Sequence, residues 1–484
     1  MKKILFAVVI LLLTTPIIVG LLSVVKEPPL DGAFVGEKEY TLKYFTWERW
    51  FDDQFQEAMI KLSAQKTGFR NTLIRLANHL DFVMLQKLHA EKAILGKNNF
   101  LYEEGYIVDY IGRNYMGEDY IRENLNRFKK AQDILKEKYN ITVILVLEPG
   151  KAGVYPESIP DKYFPTKRTT SNYDTYHRLS KVMGVNCLDL QAYFRAIKDT
   201  ISYPLYSKYG VHWSTYGMYL AADTMLKYTQ KITQINVPQL KWNGFEVTDK
   251  LKDVDFDLEK TLNLFYELPH ELLAYPKITF DTVGKTRPRA LTIADSYNWS
   301  LFDNKIPHYA FSNTDFWYYN NTIYPNIWGE NANWVKNLNV IEEIKSNKII
   351  YVMITEMNLY KAFWGFPDTV LQHELPNYKS PQWFYESRQI VENQENYQSL
   401  ITYCINYRKS FNKELSALSL FLANTKQNPK LPKYKWFWIA QYENQIYTNK
   451  EMLSSCKEKA VKSNISLRKA VYNDAVWLYN EKVK

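Results

Sequence analysis

The sequence predicts an α/β domain built on a largely parallel sheet, and three observations carry that prediction. Short, continuous apolar runs recur, of the kind that is buried on both faces of a sheet. Amphipathic segments with helical spacing separate them. The two kinds alternate from about residue 91 to about residue 375, which favours parallel pairing because each parallel return needs a crossover, usually a helix.

The elements follow in order. Lys2 and Lys3 precede an uncharged stretch from Ile4 to Val25. As a helix it rises about 1.5 Å per residue and would span a hydrocarbon core of about 30 Å, so residues 1–25 read as a signal anchor or transmembrane helix. The basic flank puts its N-terminus in the cytoplasm and the rest of the chain outside, at the cell surface or in the periplasm. A cleaved signal peptide is the alternative, and it leaves the rest of the chain on the same side. "KEPPL" breaks that helix, and "NTLIRLANHLDFVMLQKL" has helical spacing, so 26–90 reads as a membrane-proximal helical spacer.

From "ILGKNNFLYEEGYIVDYIG" (94–112) the alternation begins. "KKAQDILKEKY" (129–139) is amphipathic, "ITVILVLEP" (141–149) is a buried-strand run, and "YHRLSKVMG" precedes the strand candidate "VNCLDL" (185–190). "MYLAADTMLKYTQKI" (218–232) is helical, and "RALTIAD" (289–295) and "NKIIYVMIT" (347–355) are further strands. After "SPQWF" (380–384) the pattern is mainly helical to Lys484, with a break at "KQNPKLPKYK" (426–435). The expected domains are therefore the anchor, the spacer, an α/β domain over 91–375 and a helical C-terminal segment over 376–484.

Composition narrows the function classes. Hydrophobic residues at 46% and charged residues at 23% describe a globular chain and exclude wholesale disorder. The net charge of +9 is spread along the chain, which suits anionic surroundings such as a membrane surface or an acidic polymer and argues against nucleic acid as a partner. Cys187, Cys404 and Cys456 are widely spaced, fit no zinc pattern and read as free buried thiols. Aromatic residues reach 15%, with 38 Tyr and 13 Trp, a supply that suits either a bulky core or a carbohydrate-facing surface.

The candidate chemistry begins at "IADSYNW", where an apolar strand delivers Asp295 and Ser296 at its carboxyl end, the place where α/β sheets present ligands. Ala294 and Asn298 occupy the glycine positions of the Gly-x-Ser-x-Gly elbow, so this is not that motif. A serine hydroxyl needs a base. His212 in "YGVHWSTYGMYLAA" precedes a helix with Ser214 as its N-cap candidate, whereas the other six His read as satisfied or solvated. "HELLA" at 270 lacks a second His, "DVDFDLE" at 253 lacks the Gly and Glu of a calcium loop, and "GKT" at 284 has Thr279 where a phosphate loop needs glycine. Neither a metal nor a nucleotide cofactor is expected, and the acidic run reads as a solvated or capping stretch.

Four phrases taken together, "LGKNNFLY" (95–102), "LEPGKAGVYPESIP" (147–160), "GVHWSTYGMYLAA" (210–222) and "LTIADSYNW" (291–299), stand in an order that resembles the SGNH-hydrolase-like domains of the AlgX/AlgJ type, a family similar to alginate O-acetyltransferases. The resemblance covers roughly 91–375 and implies a three-layer α/β/α domain outside the cytoplasm. It also implies acyl transfer to a cell-surface or secreted polysaccharide, with Ser296 as nucleophile and His212 as general base, either as an O-acetyltransferase or as an esterase. Lys151 matches a family position near the site and is expected to line the substrate. Trp213, Tyr297 and Trp299 are candidates for sugar stacking or for core packing, and Asp295 for bracing the turn. A separate membrane acyl-carrier protein is the implied acetyl donor partner. The family pattern is Asp-x-His-Trp, but here Gly210 stands in place of the acid. That departure leaves a Ser-His dyad, an acid from elsewhere, or a non-catalytic glycan-binding or assembly scaffold on the same fold.

Overall fold

The computed structural model describes residues 2–22, 25–32, 41–164, 168–325, 333–425, 434–463 and 465–483. They form two compact units. The first comprises Met1–Glu103, Lys208–Val211 and Phe256–Glu271, and the second Glu104–Ser207, His212–Asp255 and Leu272–Lys484.

The first unit holds the helix Lys2–Leu22, three helices over Trp47–Phe51, Gln54–Gln65 and Arg70–Leu85, and the antiparallel pair β1 (Ala93–Leu95) and β2 (Leu101–Glu103). Its short helix Asp257–Leu262 is tied to the 208–211 strip, since Asp257 Oδ1 accepts the Val211 N–H at 2.8 Å. Among the described residues no helix is long and apolar enough to cross a membrane, so the anchor expected over 1–25 finds no support in the structure, and the helix there has its C-terminal part against residues 66–68. Pro16 lies inside this helix, its carbonyl accepts the Gly68 N–H at 2.8 Å, and a Cβ on Gly20 would meet the Lys66 carbonyl oxygen at 1.8 Å. Small residues at 20 and 68 permit that approach.

The second unit contains β3 (Thr142–Glu148), β4 (Cys187–Asp189), β5 (Gln239–Thr248), β6 (Leu273–Asp281), β7 (Ala290–Ala294), β8 (Phe316–Tyr318), β9 (Thr322–Tyr324) and β10 (Ile349–Thr355). Six of them form one sheet in the order β4-β3-β10-β7-β8-β9. All neighbours in it are parallel except the edge pair β8 and β9. β3, β7 and β10 are buried along their whole length, which explains why they read as continuous apolar runs instead of alternating ones.

Helices cover both faces. Val143, Leu145, Leu147, Leu291, Ile293 and Val352 join a core with the helices Glu118–Tyr139, Asn172–Val182 and Phe366–Glu374. Tyr351, pointing to the opposite face by the period of two, bonds its hydroxyl to Thr229 at 2.5 Å on the helix Thr215–Thr233. Mixed α/β layering with a central sheet is thus present, as expected.

The helices from Gln382 to Val483 share the first of these cores, with Phe384, Leu400, Leu418, Ile446 and Val471 in the same apolar cluster as Leu291 and Val352. The boundary expected at 375 is therefore crossed by continuous packing. The expected break at 426–435 lies mostly outside the described residues. The pair β5 and β6 forms a separate antiparallel ribbon with an irregularity between Trp242 and Phe245. All three cysteines are free; Cys404 and Cys456 are buried and Cys187 is half-buried.

Candidate active site

Two chain segments deliver the site. β7 ends at Ala294, and Asp295, Ser296 and Tyr297 turn directly into the helix Asn298–Asp303, with the Trp299 N–H donating to the Ser296 carbonyl at 3.2 Å. This puts Ser296 at the carboxyl edge of the parallel sheet. On the other segment Ser214 caps the helix Thr215–Thr233 through its hydroxyl, which accepts the Gly217 N–H at 3.0 Å, and the Ser214 N–H donates to the Leu205 carbonyl at 2.7 Å. The loop before the helix is thereby pinned, and His212 comes to rest with Nε2 3.1 Å from Ser296 Oγ, both residues half-buried. That separation is within reach for proton transfer between a hydroxyl and an imidazole.

The floor under the imidazole is aromatic. The Tyr297 ring lies 4.8 Å from the His212 ring and 5.2 Å from the Trp213 ring, centroid to centroid. Trp213 donates its indole N–H to Ser300 Oγ at 2.6 Å, and Tyr206 donates its hydroxyl to the Pro149 carbonyl at 2.7 Å. Trp213 and Tyr297 are both fully buried, so for each of them the core-packing alternative is the one the structure takes. Trp299 is half-buried and packed edge-on against Phe316 and Tyr324. Lys151 is only 2% exposed, so the substrate-lining expectation for it is corrected.

Asp295 is fully buried and accepts four hydrogen bonds, from Thr355 N (2.9 Å), Thr355 Oγ1 (2.7 Å), Asn358 Nδ2 (2.8 Å) and Tyr297 N (3.2 Å). It ties the end of β10 to the end of β7 immediately below the serine. Glu148, which closes β3, is buried beside it. Burial first, then the negative charge of Asp295, hold the Glu148 carboxyl well above the usual range.

Sequence reading missed Glu148, Thr355 and Asn358. The available signal was an acid closing an apolar run, present in "VLE" as in "IAD". It also missed Glu356, whose Oε2 accepts from Gln191 Nε2 at 3.1 Å, while Gln191 Oε1 accepts the Gly150 N–H at 2.8 Å. The two glycines of "PGKAG" make room for this pair, because a Cβ on Gly150 would meet Glu356 Oε1 at 2.1 Å and one on Gly153 would meet Gln191 Nε2 at 1.7 Å.

Around the start of the helix Thr215–Thr233 stands a further aromatic group that the sequence did not single out. Tyr203, Tyr216, Trp242 and Phe245 form a ring-to-ring cluster with centroids 5.6 to 6.2 Å apart, and all four are half-buried or exposed. Among the described residues no group of three or more His, Cys, Asp or Glu side chains is arranged to hold a metal ion.

Residues 94–262 match the family model described as SGNH hydrolase-like domain, acetyltransferase AlgX. The matched segment contains His212 and Lys151 and ends before Ser296. Among solved structures the chain is similar to the O-acetyltransferase domain of Pseudomonas putida AlgJ, at 15% identity over 61% of this chain and 97% of that one, with a TM-score of 0.36. It is also similar to Bacillus cereus PatB1 (13%, 57% and 99%, TM-score 0.36) and to Pseudomonas aeruginosa AlgX (12%, 57% and 67%, TM-score 0.37). No curated protein matches the sequence.

Proposed function

We propose that this protein is an O-acyltransferase acting outside the cytoplasm on a cell-surface or secreted polysaccharide, with acetyl as the transferred group and hydrolysis of the same esters as a side activity. The observation that carries the reading is the 3.1 Å approach of His212 Nε2 to Ser296 Oγ at the carboxyl edge of the sheet, together with the acetyltransferase family match over 94–262.

In this reading His212 takes the Ser296 proton as Oγ attacks the acyl carbonyl. The tetrahedral oxyanion collapses, the leaving oxygen departs with the proton held by the imidazolium, and acetyl-Ser296 remains. A sugar hydroxyl, or water, then gives its proton to His212 and attacks the ester, and the serine oxygen regains a proton as it leaves. The aromatic group at Tyr203, Tyr216, Trp242 and Phe245, half-buried except for the exposed Phe245, has apolar faces, and in its Tyr and Trp members polar tips, that suit a carbohydrate acceptor. The reading further places the helix Lys2–Leu22 at the membrane and requires a separate membrane acyl-carrier protein as donor partner. Recovery of the full chain from the soluble fraction after cell breakage would remove the first element, and failure to co-purify with a multi-span acyltransferase the second.

Gly210 at the family's acid position favours a second reading, a non-catalytic glycan-binding or assembly scaffold. One experiment separates the two. The full chain and Ser296→Ala are incubated with p-nitrophenyl acetate, and intact mass and released acetate are followed in the same tubes. An adduct of one acetyl mapped to Ser296, or release that depends on Ser296, supports the enzyme. Neither signal supports the scaffold.

A further inference from the structure

An imidazole that holds a serine through Nε2 has its Nδ1 side turned toward its own main chain and whatever packs there. In a serine and histidine pair that side is where an orienting carboxylate acts, and residue 210, where the family pattern carries one, is glycine. The question is then which other acid the second unit brings to the main-chain side of His212.

The short 3-10 turn Asp253–Phe256 answers it by placement. Asp255 on this turn is fully buried, and its Oδ2 accepts the Thr215 hydroxyl at 3.2 Å. Thr215 is the first residue of the helix Thr215–Thr233 and lies three residues after His212. The turn is held in shape by the Asp255 N–H, which donates to the Lys252 carbonyl at 3.0 Å, and by the Lys252 N–H, which donates to the Tyr275 hydroxyl on β6 at 2.9 Å. Asp255 of the acidic run "DVD", expected to be a solvated or capping stretch, is thus docked against the start of the helix that follows the histidine. A wholly buried carboxylate carries a desolvation cost that an adjacent cation or imidazolium offsets, and His212 stands three residues before the Thr215 that this carboxylate holds.

We propose that the turn Asp253–Phe256 supplies, in place of residue 210, the carboxylate that orients His212 and stabilises its protonated form. The acid comes from a segment about forty residues downstream instead of from the histidine's own motif. It acts through His212 and is a positioning residue. This inference rests on the acyl-transfer reading only for its kinetic consequence; the effect on the imidazole stands without it.

The test uses the full chain with Asp253→Asn, Asp255→Asn and the double variant. His212 is titrated by long-range proton-nitrogen NMR of the imidazoles, with His212→Gln identifying its signals. Loss of a neighbouring carboxylate lowers an imidazole pKa by about 1 to 3 units. The expected result is such a fall in one single variant, with kcat for Ser296-dependent acetyl release down by about 10²- to 10⁴-fold, KM little changed, and the alkaline plateau of the pH profile moved with the imidazole. Thr215→Val removes the hydroxyl bond and leaves the carboxylate, so it reports any purely structural share. An imidazole titration and tautomer unchanged in the double variant overturn the inference, whether or not the wild type turns over. An enzyme without Ser296-dependent release but with the imidazole shift refutes the acyl-transfer reading and upholds the orienting acid.

Discussion

Replacing Asp295 by alanine removes the acceptor that joins the ends of β7 and β10. The four donors it leaves are Thr355 N, Thr355 Oγ1, Asn358 Nδ2 and Tyr297 N, on residues that are buried to within a few per cent. They do not suffer equally. The Thr355 hydroxyl is free to rotate, and Asn358 Nδ2 keeps its 3.1 Å bond to Thr355 Oγ1. The Thr355 N–H cannot reorient, and the Tyr297 N–H is held by its turn. An unmade bond at a buried donor costs about 1 to 3 kcal/mol, so two full losses and one partial loss amount to about 3 to 5 kcal/mol. The expected loss is that 3 to 5 kcal/mol, about the sum of the unmade bonds, in urea unfolding of Asp295→Ala against the wild type, with Asp295→Asn in between because its amide oxygen still accepts. A loss below about 1 kcal/mol would refute the idea that this carboxylate holds the strand ends together, since even one unsatisfied buried N–H reaches that size.

Two further outcomes follow from the same region. Gly153→Ala places a Cβ 1.7 Å from Gln191 Nε2 and 2.8 Å from Glu356 Oε2, and fully buried Gln191 has nowhere to move, so the variant is expected to lose about 1 to 3 kcal/mol; an unchanged urea midpoint would sink the account of this glycine. Burial first, and then the negative charge of Asp109, lifts Glu356 to about 8, while burial lifts Asp109 to about 7. The folded protein therefore keeps protons that the unfolded chain releases above the ordinary carboxyl range. The stability these groups contribute is complete below that range and is lost as pH rises through about 7 and 8, at up to about 1.4 kcal/mol per pH unit for each proton retained. Glu356→Gln should flatten the profile of urea midpoint against pH between about 5 and 8, and a profile as steep as the wild type's would count against the buried neutral acid.

Much of the fold was legible because its strands are buried on both faces. Continuous apolar runs at 141–149, 289–295 and 347–355 need no partner to be recognised, and they lie where β3, β7 and β10 form. The order of the sheet was not legible, since β10 inserts between β3 and β7 and no local pattern encodes which strand a crossover passes. The N-terminal stretch is a related case. Hydropathy sees an apolar run, whereas the packing of Pro16 and Gly20 against Lys66–Gly68 depends on a segment some fifty residues away.

The site divides along the same line. By itself the sequence determined which side chains were chemically eligible: Ser296 after a buried strand, His212 before a capped helix, and an acid missing at Gly210. Only the tertiary structure decided that Nε2 stands 3.1 Å from Oγ, that Trp213, Tyr297 and Lys151 are interior and not substrate-facing, and that Asp255 packs on the helix His212 precedes. The physical reason is that a residue's reactivity is local to its type, while its distance, burial and charge neighbours are set by segments that meet only when the sheet and its covering helices close.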